Sequence, residues 1–229
     1  MYNPKFLRGR LVLLAILGAS FVLASSAKAV LVTWDFNPQG LNQDVGSSSV
    51  TLTEYGASII ASGYTVNSSG ADTPLGLFFK NQGSDELGLG VVSTSHHELE
   101  GIGGAPGQYI QLDISALLAR GGVTNGKLQV GSIQGNSNDT FTIYGSNVAG
   151  VLGKQIAGVF DSSSDQIFVS IPNFGAYNYI SIGALSGDVL PIAFAANCTA
   201  IPEMGAILPI LGLFSAIGAS RLLRRKARA

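Results

Sequence analysis

The sequence predicts an all-β fold: a single β-sandwich or jelly-roll-like domain flanked by an N-terminal signal peptide and a C-terminal transmembrane helix. Three observations carry this reading. Short β-favouring runs recur between turn-forming clusters such as "NPQG", "KNQGSD" and "DSSSD". Several of those runs alternate apolar and polar residues with the period of a strand. The two ends of the chain are apolar and basic, whereas the middle is acidic and rich in Gly, Ser, Thr and Asn.

At the N-terminus, Lys5, Arg8 and Arg10 precede an uncharged apolar run from Leu11 to Leu23. Ala27-Lys28-Ala29 follows and supplies the small-x-small pattern of a signal-peptidase site, so cleavage after Ala29 leaves a chain starting at Val30. The alternative, an uncleaved anchor, fits poorly with so short a run followed by polar residues. The expected organisation is a signal peptide over residues 1–29, a passenger domain over 30–198 and a terminal segment over 199–229.

Within the passenger, strands are expected at Leu31–Phe36, Val50–Glu54, Ser58–Ser62, Leu75–Lys80, Gly88–Val92, Tyr109–Asp113 and Lys127–Ile133. Further strands are expected at Thr140–Tyr144, Gln166–Ile171, Tyr179–Gly183 and Leu190–Ala195. In "TFTIYG", Phe141 and Ile143 share one face; in "QIFVSI", Ile167, Val169 and Ile171 do. Only "DISALLARGG" reads as helical, capped by Asp113 or Ser115 and stopped at Gly121. Short strands with so little helix favour a sandwich or jelly roll over an α/β fold.

The formal net charge of −1 conceals a segregation. Between Val30 and Met204, four basic residues (Lys80, Arg120, Lys127, Lys154) face all fourteen acidic ones, a net charge of −10. A nucleic-acid partner needs a basic face and is excluded on this ground. An acidic domain of this kind suits export and is able to attract divalent cations. The single cysteine, Cys198, rules out an internal disulfide framework.

The densest polar cluster runs from Lys80 to Glu100 and contains Asp85, Glu86, His96, His97, Glu98 and Glu100. Asp85, Glu86 and Glu98 are the candidate ligands for Ca²⁺, the one cofactor this sequence suggests, because that ion takes oxygen donors in flexible geometry. The competing reading is a solvated loop whose charges keep a sheet edge soluble. His96 and His97 are adjacent, and neighbours on a strand point to opposite faces, which disfavours a shared transition metal. There is no G-x-S-x-G elbow and no H-E-x-x-H helix, so no catalytic residue is nominated and the chain is expected not to be an enzyme. Trp34 and the tyrosines Tyr55, Tyr64, Tyr109, Tyr144, Tyr177 and Tyr179 are either a sugar-stacking platform or, as more often, sandwich core and cover.

The chain ends in "IPEMGAILPILGLFSAIGASRLLRRKARA". From Gly205 to Leu223 the only charge is Arg221, and at ~1.5 Å per residue that stretch is long enough to span a hydrocarbon core of ~30 Å. The basic tail over residues 221–229, with Arg221, Arg224, Arg225, Lys226 and Arg228, is expected on the cytoplasmic side and the acidic domain outside. A buried terminal helix is the alternative, against which the run's continuous apolarity weighs.

Ile201-Pro202-Glu203, the apolar stretch and the basic end together resemble the PEP-CTERM sorting signal of Gram-negative bacteria. The family's second proline is Met204 here. The resemblance implies retention in the inner membrane, processing by an exosortase-type enzyme and delivery to the cell surface or extracellular matrix. "LFFKNQGSDELGLGVV", "YIQLDISAL", "FTIYGSN" and "YNYISIGA" are similar to segments of a domain that recurs on PEP-CTERM proteins, and "FTIYGSN" also to strands of galactose-binding-like jelly rolls. The expected function is that of an exported, non-enzymatic structural or adhesive protein acting in extracellular polysaccharide; the alternatives, in order, are a carbohydrate-binding module with Ca²⁺ and a secreted glycan-active enzyme.

Overall fold

A computed structural model describes residues 29–67, 72–83, 86–134 and 138–199. The signal-peptide residues up to Lys28, with Ala27, and the whole terminal segment from Ala200 lie outside the described residues. So do the expected membrane span at 205–223, Ile201, Pro202, Glu203 and the basic residues from Arg221 to Arg228. Residues Ala29–Thr199 form one compact unit.

The unit is all-β and sandwich-like. Its strands are β1 (Ala29–Asp35), β2 (Gln43–Asp44), β3 (Ser49–Glu54), β4 (Ala57–Thr65), β5 (Thr73–Leu75), β6 (Leu77–Asn81), β7 (Leu87–Val91) and β8 (Leu99–Ile102). They continue with β9 (Ala105–Pro106), β10 (Gln108–Asp113), β11 (Val123–Gly131), β12 (Thr140–Ser146), β13 (Lys154–Gln155), β14 (Phe168–Ser170), β15 (Tyr179–Ser186) and β16 (Asp188–Thr199). One sheet runs β14-β11-β16-β8-β9, with β1 also on β16; the other runs β13-β12-β15-β10-β4-β3, with β5 on β4. A third, smaller sheet is β2-β6-β7.

Alternation explains the core. Val32 and Trp34 of β1 and Phe194 and Ala196 of β16 face Ile59 and Ala61 of β4, Ile110 and Leu112 of β10, and Ile180 and Ile182 of β15 across one apolar layer. Trp34 joins the two large sheets. Its ring lies 5.3 Å from that of Phe194, and its Nε1 donates across the layer to the Ala57 carbonyl at 3.0 Å. An indole fits here because its body is apolar while its single donor still finds a partner.

Each expected run contains a strand, with instructive differences. Leu75–Lys80 is two strands parted at Gly76, and Gln166–Ile171 shrinks to the three residues of β14. Ile167 does not share a buried face with Ile171: it is 56% exposed, just ahead of an edge strand. The two-residue strands β2, β9 and β13 and the four-residue β8 carry too few residues to show a period. The helix is α1 (Ser115–Ala119); its N-cap is Ile114 rather than Asp113 or Ser115 and no side chain caps it, Asp113 Oδ1 accepting from the Ser115 amide at 2.9 Å just ahead. Gly121 follows at φ +72°, a conformation a side chain rarely adopts.

The second face of the larger sheet is also covered. The segment from Asn147 to Gly158 folds back over it and satisfies its polar side chains. Gln111 takes the Gly150 amide at 2.8 Å and donates to the Val151 carbonyl at 3.0 Å. Thr142 donates to the carbonyls of Ala157 and Gly158. Tyr109, stacked on Tyr64, donates to Asp72 at 2.7 Å, and Asp72 also accepts from the Leu152 amide.

Burial, then the bond and charge of Asp72, push the Tyr109 phenol well above its ordinary 10.0. A raised folded-state pKa contributes stability that is complete below the unfolded value and is lost as pH rises through the folded one. The urea midpoint is therefore expected to fall as pH is taken above 10.0, and to fall less steeply in Tyr109→Phe. Parallel slopes in the two proteins would contradict this assignment.

Candidate functional site

The β6–β7 hairpin builds the most unusual polar arrangement of the domain. In its register Phe78 pairs with Gly90 and Lys80 with Gly88, so two large side chains and two glycines share one face. Leu77, Leu89 and Val91 lie on the opposite face, in the core. The glycines allow other backbone to come close. A Cβ on Gly88 would strike the Pro191 carbonyl, and one on Gly90 would strike the carbonyl of His97. The β7 stretch "LGLGV" is therefore a strand hollowed to accept β16 and the segment after β7.

That segment, residues 92–98, closes over the hairpin. Thr94 secures it: its hydroxyl donates to the Glu98 carbonyl and accepts from the Glu98 amide, both at 3.0 Å. His97 sits at φ +57° with its ring flat on Phe78, centroids 3.8 Å apart, and its buried Nδ1 has no hydrogen-bond partner. A left-handed conformation at a non-glycine residue stores strain, which the Thr94 turn and the ring stack hold in place.

The result is a buried charge cluster. Lys80 is 2% exposed and Glu98 3%. The Lys80 ammonium donates to Glu98 Oε1 and meets Glu86 Oε2 at 2.7 Å. Ser132, just past β11, donates to the same Glu98 oxygen at 2.9 Å. Asn37 Nδ2 donates to the Lys80 carbonyl at 2.9 Å and to the Leu41 carbonyl at 2.8 Å, pinning the strand from behind. Burial pulls the Lys80 ammonium down, but the bonds and charges of Glu86 and Glu98 outweigh it and hold its pKa above 10.5. Burial pushes the Glu98 carboxyl above 4.5, with Lys80 and then Ser132 pulling the other way.

Of the candidate Ca²⁺ ligands, Glu86 and Glu98 are brought together, while Asp85 lies outside the described residues. What stands between the two carboxylates is the Lys80 ammonium, a cation supplied by the chain itself. Among the described residues no group of three or more His, Cys, Asp or Glu side chains is placed to hold a metal ion. His96 is exposed and His97 is committed to its stack on Phe78. Lys80 and Ser132 are the members that the sequence did not nominate. Lys80 gave a signal in hindsight: it occupies the Phe78 face of a strand whose neighbours are apolar. Ser132 gave none, being 34 residues from Glu98.

The aromatic residues sort mainly into core. Trp34, Tyr109 and Tyr144 are buried, and Tyr55, 83% exposed at the turn between β3 and β4, is the exception. The Cys198 thiol, raised by burial, lies half-buried beside Ala196. Among the described residues no helix is long and apolar enough to cross a membrane. The chain matches no protein-family model, and no curated protein matches its sequence.

The hollowed strand yields a sharp contrast. Gly90→Ala drives a Cβ into the His97 carbonyl and is expected to cost about 1–3 kcal/mol or more, the range of overpacking. Gly158→Ala meets nothing within 4 Å and is expected to change stability by less than about 0.5 kcal/mol. Urea unfolding of the two variants checks both values.

Proposed function

We propose that this chain is an exported envelope or extracellular-matrix protein, sorted by a PEP-CTERM-type signal, with a non-enzymatic structural or adhesive role in extracellular polysaccharide. Its passenger is a single β-sandwich of jelly-roll-like type. The observation that carries the reading is the ordered terminal triplet of Ile201-Pro202-Glu203, apolar stretch and basic end. The position of the folded unit supports it. That unit spans Ala29–Thr199, so its first strand starts at the expected signal-peptidase site and its last ends two residues ahead of Ile201.

On this reading the basic residues Arg221, Arg224, Arg225, Lys226 and Arg228 hold the tail in the inner membrane with its end inside. An exosortase-type enzyme then acts near Pro202-Glu203, and the acidic passenger proceeds to the surface. The acidic surface suits a polymer matrix, because like charge limits self-association in solution.

Mass spectrometry of the mature protein from its native host tests this directly. The expected product begins at Val30, ends near Pro202-Glu203 and is found in the surface or matrix fraction. Surface-located protein that retains Ala229 would overturn the sorting reading.

A further inference from the structure

The strongest unexplained feature is a nucleophile and an electrophile sealed together. Lys80 carries a primary amine, Glu98 a carboxyl carbon, and both side chains are withdrawn almost entirely from water. Two further groups converge on them. Glu86 places Oε2 2.7 Å from the Lys80 nitrogen and is the less buried member, with 26% of its side chain exposed. Ser132 aims its hydroxyl at Glu98 Oε1 from 2.9 Å. These partners satisfy the buried charges, yet a buried pair even so gains little over an apolar one of equal volume.

We propose that Lys80 and Glu98 condense into an intramolecular amide, with Glu86 as the base and Ser132 as the donor that steadies the carboxyl oxygen. From ammonium and carboxylate, the Nζ–Cδ bond forms while two N–H bonds and one Cδ–O bond break. Glu86 relays both protons from the lysine nitrogen to the departing oxygen, one before and one after attack, and that oxygen leaves as water. Ammonium plus carboxylate thus become amide plus one water, with no change of oxidation state and no co-reactant. Ser132 keeps its hydrogen bond to the oxygen that remains as the amide carbonyl.

Physical chemistry favours the step at this place. Burial pulls both groups toward the uncharged amine and acid, the reacting forms, while Glu86 and Glu98 hold the proton on Lys80 with its pKa raised, so the step depends on Glu86 taking that proton. Fixed reactants gain an effective molarity on the order of 10⁵ M or more over free ones. The amide removes two charges from an apolar site, and exclusion of water opposes its hydrolysis. The bond would close the loop between residues 18 apart in sequence, tying β6 to the segment before β8. A cross-link there constrains the unfolded chain as a disulfide would, in a protein with one cysteine. The inference is independent of how the protein is sorted.

The test is intact-mass measurement of the full chain purified from its exporting host, followed by peptide mapping. The expected protein is one water lighter than the sum of its mature residues. Its digest holds a branched peptide joining Lys80 to Glu98. An unshifted mass, or a water loss mapped to any other position, would overturn the proposal. Glu86→Gln keeps the shape of the site and is expected to slow appearance of the lighter species on the order of 100-fold, the usual loss on removing a positioned base. Formation at the unchanged rate would overturn the role given to Glu86. Lys80→Arg keeps the positive charge without the nucleophilic amine, and its soluble folded product is expected at the full, unshifted mass.

Discussion

The antiparallel pairing of β16 on both of its edges is the constraint on which the rest of the domain depends. One edge holds β8 at its start and β1 along the remainder; the other holds β11 through two register shifts. This single long strand therefore fixes the smaller main sheet and presents Phe194 to Trp34. It also brings the Pro191 carbonyl against Gly88. Remove that pairing and the hollowed hairpin has nothing to dock on, and the charge cluster has no wall.

Much of this was legible in the amino acids because strands with one buried face must alternate. The β4, β10 and β15 segments all do, and their inward residues form the core. What alternation could not reveal was the second layer over the larger sheet. Tyr109, Gln111 and Thr142 lie on the face opposite Ile110, Leu112 and Ile143, where Asp72 accepts from Tyr109 and the return of residues 147–158 accepts from Gln111 and Thr142. Such cover is a long-range event with no local pattern. Ile167 fails in the opposite direction: its period was right for a buried face, but the strand begins only at the next residue.

The same contrast holds for the polar cluster. Glu86 and Glu98 stood out as charges in a charge-poor chain, whereas the group between them was hidden by its neighbours. A lysine after "LFF" reads as the polar end of a strand. Only the register, which sets Lys80 opposite Gly88, shows that there is room to draw it inward. The glycines thus determine the chemistry of the site indirectly. They leave a trough in the sheet, beside Phe78 and Lys80, into which the Leu190 side chain and the carbonyls of Pro191 and His97 come close.

The chain enters and leaves the described unit side by side, for Ala29 and Thr199 are register partners at the same end of the β1–β16 ladder. This has a mechanical consequence. A force between those two ends enters at the Ala29–Thr199 pair and opens the β1–β16 ladder one rung after another, as a hairpin is opened from its open end. The Thr199 amide and hydroxyl bonds to the Gly122 carbonyl tie the last residue of β16 to the approach of β11 on its other edge, so that side carries no load from the pull on β1.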